Sequence, residues 1–140
     1  MPLELDHLRN AITALADLLA VSENDARMGE LTEVERNGIR SGVIQNFEVT
    51  YELSWKLIAR WLRTYVGPDV ADGVTRRRLF RLAAENRLIP DVDLWMQHHE
   101  ARNVTAHIYD QAKAALVYSA TREFVHDARL LLAALEARND

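Results

Sequence analysis

The chain has 140 residues, a length that fits one domain, and its 49% hydrophobic and 27% charged residues exclude a disordered polymer. It has no cysteine, so disulfide staples and thiolate metal sites are excluded. A formal charge of -4 does not favour broad electrostatic capture of nucleic acid, so any RNA contact has to come from a local basic patch.

Five Gly and three Pro leave few breakers, and helical periodicity dominates throughout. The spacing predicts a first helix over roughly Leu3 to Val21, with Leu5, Leu8, Ile12, Leu15 and Leu19 on one stripe. SENDARMGEL then reads as a connection. Thr32 and Glu35 form a capping box that opens a long helix to about Val66, which Gly67-Pro68 stops. Gly38 and Gly42 inside it mark a kink or a close approach of another helix. Ile44, Phe47, Tyr51, Ile58, Leu62 and Tyr65 make its apolar stripe, with Trp55 and Trp61 beside it.

Thr75 caps a short helix from Arg76 to about Asn86, broken by Leu88-Ile89-Pro90. Its TRRRLFR start, with Arg76, Arg77, Arg78 and Arg81, is either a basic patch or a solvated face. Asp91 caps a helix towards Arg102, and a last helix runs from about Gln111 to Arg138. No credible strand is present. The expected architecture is a single all-α domain over residues 1–140, an antiparallel helical bundle of about five helices. Trp55, Trp61, Tyr65 and Trp95 exceed what one stripe can hold, which points to a second chain and a symmetric homodimer. No apolar run approaches the roughly 20 residues that cross a bilayer, and MPLELDHLRN has no secretory pattern, so the expected location is cytoplasmic, with no membrane contact.

RNVTAHIYD, Arg102 to Asp110, concentrates the polar chemistry. Cleaving RNA without a metal requires a base for the ribose 2′-hydroxyl and a donor for charge building on the phosphoryl oxygens. His is matched to the first task near neutral pH, and the planar Arg fork to the second. On an unbroken helix Arg102 and His107, five positions apart, would diverge by ~140°. They converge if the helix breaks near Asn103 and restarts near Ala106, and Asn103, Val104 and Thr105 favour such a break. From spacing alone the alternative stands beside this: Arg102 salt-bridged at the surface, His107 a packing histidine, Tyr109 a core aromatic.

Gln45, Glu48 and Glu52 share one helix face. Glu48 and Glu52 are placed to hold Arg102 or orient His107, or else Glu52 pairs with Lys56. His98, His99, Glu100 and His107 do not make a metal site, because adjacent helical histidines point ~100° apart and no H-E-x-x-H pattern exists. His7 and His126 read as lone surface histidines. No Gly-rich phosphate loop or dinucleotide fingerprint is present, so neither metal nor cofactor is expected.

R-N-V-T-A-H-I-Y has the form R-x-x-x-x-H-x-Y and resembles the signature of HEPN-superfamily proteins of the HepT type, also labelled nucleotidyltransferase substrate-binding proteins. GVIQNFEVTYELSWKL, Gly42 to Leu57, and WMQHHEARN, Trp95 to Asn103, are similar to the second helix and the motif approach of that family. The resemblance implies a HEPN-like helical bundle that dimerises with its motifs facing each other. It further implies a toxin acting as a metal-independent endoribonuclease on RNA, silenced when a minimal nucleotidyltransferase antitoxin adds AMP to the motif tyrosine. Carried over, Arg102 and His107 are catalytic, Asn103 assists and Tyr109 is the modification site. The rival expectations are a non-catalytic substrate-binding subunit of a two-component nucleotidyltransferase, and a dimerisation scaffold without chemistry.

Overall fold

The computed structural model describes residues 2–107 and 110–140, with backbone only at positions 107 and 111. Its helices in chain order are α1 (Asp6–Ser22), α2 (Asp25–Gly29), α3 (Glu33–Tyr65), α4 (Arg76–Glu85), α5 (Val92–Val104) and α6 (Gln111–Ala137), with a 3-10 turn at Thr105–His107. No strand occurs among the described residues.

The caps explain most of these boundaries. The Thr32 hydroxyl accepts from Glu35 N at 3.1 Å, and the Glu35 carboxylate accepts from Thr32 N at 2.9 Å, closing the capping box of α3. Thr75, Asp91 and Asp110 cap α4, α5 and α6 through their side-chain oxygens. α4 closes through Arg87, whose φ of 62° is left-handed, and Leu88 N bonds back to Ala83 O at 2.9 Å.

α2 departs from the expected connection and raises the helix number to six among the described residues. Asn24 caps it and Met28 anchors it in the core, but five residues are too few to show a periodic stripe.

α1 lies along α3, and α6 packs against both; α4 and α5 form a second layer over α3 and α6. Leu8, Ile12, Leu15 and Leu19 bury the predicted stripe of α1. A Cβ at Gly42 would meet the Leu18 side chain at 2.9 Å, so Gly42 marks the close approach of α1 and α3, whereas Gly38 faces open space. Trp61 and Trp95 are buried within this one chain, and Trp55 and Tyr65 pack partly buried against the same core. Two of the four aromatics thus lie in the core of the single chain, while Trp55 and Tyr65 keep part of their surface exposed.

Phe124 fixes the junction of α3, α5 and α6. Its ring meets Phe47 at 4.9 Å, His98 at 5.1 Å, Trp95 at 5.9 Å and Tyr51 at 6.4 Å between centroids. Beside it, His98 Nε2 donates to the Asp127 carboxylate at 2.6 Å, tying α5 to α6 in the interior. No helix among the described residues is long and apolar enough to cross a membrane.

Candidate functional site

The outer face of α3, the last turn of α5 and the first residue of α4 meet in one polar cluster. Arg102, in the last turn of α5, points at two carboxylates of α3. Its Nη2 lies 3.6 Å from Glu48 and its Nε 3.3 Å from Glu52. The Nε is shielded from solvent and makes no directed hydrogen bond, so this contact is charge attraction. The third nitrogen, Nη1, donates to the Thr105 hydroxyl at 3.2 Å, and that hydroxyl donates to Arg102 O at 2.7 Å. Thr105 thus caps α5 and steadies the guanidinium together.

Glu52 does not turn to Lys56. Its second oxygen accepts from the Trp55 indole N–H at 2.9 Å, which fixes the carboxylate between Trp55 and Arg102. Gln45 stays exposed, one turn before Glu48. Val49 and Leu53, with Glu48, Glu52 and Lys56, line a shallow open depression of about 270 Å³ along the same face.

His98 and His99 diverge, as neighbouring helical positions must. His98 turns inward to Asp127, while His99 Nδ1 lies 2.8 Å from the Tyr51 hydroxyl and Nε2 lies 3.4 Å from Asn103 Nδ2. Burial lowers the pKa of His99, and the positive charges of Arg76 and Arg102 push the same way. Burial likewise pushes the Tyr51 phenol up. The pair is therefore a neutral imidazole against an uncharged phenol, which orders the turn of α5 carrying Arg102 and Asn103.

α5 runs through Val104, one residue beyond the expected break, and the segment near Ala106 is a 3-10 turn instead of a restarted helix. The Thr105 hydroxyl bond to Arg102 O accounts for that ending. Tyr109 and the side chain of His107 lie outside the described residues.

Sequence reasoning named Arg102, Asn103, Glu48 and Glu52 and missed the rest of the cluster. His99 shares a face with Arg102 and Asn103 at spacings of three and four, a signal available in the sequence but weighed only for metal binding. Tyr51 was assigned to the core by its stripe, yet its hydroxyl end reaches His99. The TRRRLFR patch divides: Arg77 pairs with Asp93 at 3.4 Å and Arg78 with Glu85 at 3.9 Å, while Arg76 stacks on Trp55 with its guanidinium carbon 3.5 Å from the ring centroid.

The chain is 36% identical over 100 residues to a Haemophilus influenzae protein named Probable ribonuclease HepT, covering 71% of this chain and 68% of that one. A solved Haemophilus influenzae structure, described as the fold of a substrate binding domain of a nucleotidyltransferase, superposes with a TM-score of 0.89 at 28% identity, covering 95% of this chain and 99% of the other. A Thermus thermophilus crystal structure matches with a TM-score of 0.67 at 25% identity, over 89% and 98% of the two chains. The family described as nucleotidyltransferase substrate binding protein like matches residues 3–137. Nearly the whole bundle, site face included, falls inside that match, and the chain belongs to this nucleotidyltransferase substrate-binding family.

Proposed function

We propose that this protein is a HepT-like member of the HEPN superfamily: a toxin acting as a metal-independent endoribonuclease. Its activity is controlled by a partner minimal nucleotidyltransferase, the antitoxin, in the cytoplasm. The observation that carries the reading is the clamp on Arg102. Glu48, Glu52 and Thr105 hold its guanidinium in one orientation at the end of α5, immediately before the turn that bears His107. Likeness to the protein named Probable ribonuclease HepT supports it.

In this reading Arg102 presents its fork to the phosphate and Asn103 adds a polar contact. His107 takes the proton of the 2′-hydroxyl as its oxygen attacks phosphorus, and a proton is returned to the departing 5′-oxygen. Holding the guanidinium before substrate arrives removes reorganisation from the reaction, which is where such donors gain their effect. Two chains pair with their motifs facing one cleft, and the exposed Val49 beside Glu48 and Glu52 is the apolar edge that supports the pairing. The partner enzyme silences the toxin by joining the Tyr109 oxygen to the α-phosphorus of ATP with loss of pyrophosphate. The added phosphodiester brings a negative charge to the motif, which opposes the binding of RNA.

A second reading is a non-catalytic substrate-binding subunit of a two-component nucleotidyltransferase. The family description and the Haemophilus influenzae substrate binding domain favour it. One experiment separates the two. Purified protein free of its partner is incubated with RNA in excess EDTA, beside Arg102→Ala and His107→Ala. Cleavage by wild type, lost in both variants, is expected. Equal inertness of all three proteins transfers the assignment to the binding subunit. Mass spectrometry after incubation with the partner and ATP reads AMP addition at Tyr109, and an unmodified Tyr109 removes the silencing step.

A further inference from the structure

We infer that Arg76, stacked on Trp55, is a second phosphate-holding residue of the same site, gripping the RNA backbone beside the phosphate held by Arg102. This rests on the ribonuclease reading and names what the α4 edge of the cluster takes: the sugar-phosphate backbone of single-stranded RNA.

Arg76 is placed where a structural arginine would not be expected. It occupies the first position of α4, at the positive end of the helix dipole, where a cation is disfavoured. Its neighbours Arg77 and Arg78 each pair with a carboxylate; among the described residues Arg76 has none within salt-bridge distance. Its Nη1 is shielded from water and has no hydrogen-bond partner among the described residues. A shielded guanidinium N–H without an acceptor is unfavourable unless something supplies one. The guanidinium carbon lies 3.5 Å from the Trp55 ring centroid, so the ring covers one side of the group and Nε and Nη2 are left to meet phosphate oxygens.

Contacts connect this residue to the motif. The Trp55 indole bonds to Glu52, and Glu52 faces Arg102. Arg76 and Arg102 both act electrostatically on His99 and Tyr51, which places the two cations around one centre. Charge balance argues the same way. Two carboxylates face the single positive charge of Arg102, so the α3 and α5 half of the site carries one excess negative charge, which weakens the hold of Arg102 on a phosphate. Arg76 offsets that excess. Because Arg76 already covers the Trp55 ring on its side, the contact made here is to phosphate, and it carries no base preference.

The test uses the full chain in the His107→Ala background, so that RNA is bound and not cut. A fluorescent single-stranded RNA oligonucleotide is titrated by anisotropy at several salt concentrations. Arg76→Gln is expected to weaken binding about tenfold, and to lower the slope of log affinity against log salt by about 0.7, for oligonucleotides of different sequence alike. Arg76→Lys recovers the slope but only part of the affinity, because the stacked plane is lost. Arg77→Gln, whose partner is Asp93, stays within about twofold of the parent. Parent-like affinity and slope for Arg76→Gln overturn the inference and leave the nuclease reading standing. Weaker binding with an unchanged slope also overturns it, since it assigns Arg76 a packing role. Absence of RNA binding by the parent removes the nuclease reading, and the second contact with it.

Discussion

Phe124 gives the sharpest test of how the site is supported. Its side chain is fully buried at the junction of α3, α5 and α6, touching the rings of Phe47, Tyr51, Trp95 and His98. Burying such a ring contributes about 2–3 kcal/mol by transfer. Truncation to Ala adds a cavity cost, so Phe124→Ala is expected to destabilise by about 4 kcal/mol. Phe124→Leu keeps most of the volume and loses the edge-to-face contacts, for about 1.5 kcal/mol. At this chain length 4 kcal/mol corresponds to a fall in Tm of about 10–15 °C. Urea unfolding followed by tryptophan fluorescence and by circular dichroism measures both variants, with Trp95 reporting from within the cluster. A cost for Phe124→Ala below about 1.5 kcal/mol, or one equal to that of Phe124→Leu, would refute the enclosed aromatic junction. The same ring backs Tyr51, so it also underlies the ordering of His99 and the last turn of α5.

Two further outcomes concern stability. Burial holds the pKa of His98 below its ordinary value of 6.5, with the Asp127 bond opposing. The unfolded chain therefore accepts a proton near that value which the folded chain resists. Stability is complete above about pH 7, falls as pH drops through the mid-sixes, and levels only below the folded value. Tm measured from about pH 8 to pH 5 should follow this course and flatten in part in His98→Gln; identical profiles contradict the assignment. Gly38 is an exposed helical position where a Cβ meets nothing within 4 Å. Gly38→Ala should stabilise by about 0.5–1 kcal/mol, raising Tm by a few degrees, and a lower Tm contradicts the open space around it.

What was legible in the sequence was local. Thr32 with Glu35, Thr75, Asp91 and Gly67-Pro68 each act within a few residues of chain, and each falls at a boundary in the structure. The α1 stripe was legible for the same reason. α2 was not, because a single turn carries no period. Trp61 was not placed in the core because a stripe assumes one narrow buried side. Leu57, Ile58, Ala59, Trp61 and Leu62 are all buried, so α3 is covered there over a wide arc, with Lys56, Arg60 and Arg63 exposed on the rest.

The cluster was legible only in part. The shared face of Glu48 and Glu52 follows from helix geometry alone. Their choice of Arg102 over Lys56 depends on how α5 is rotated against α3, which no local pattern encodes. Tyr51 to His99 and Trp55 to Arg76 are likewise meetings of separate helices. Such pairs are fixed by how the helices pack on one another, not by spacing along the chain.

α3 seats Phe47 and Ile58 in the interior while Glu48, Glu52 and Trp55 ride on its other side. That makes the helix an indexed shaft. Adding one residue between Glu52 and Ile58 would turn everything beyond it by about 100°, and no single setting would then satisfy both the buried seat and the working face. Divergence in this part of the protein is confined to exchanging side chains, and changes in length are left to joints such as residues 67–74 between α3 and α4.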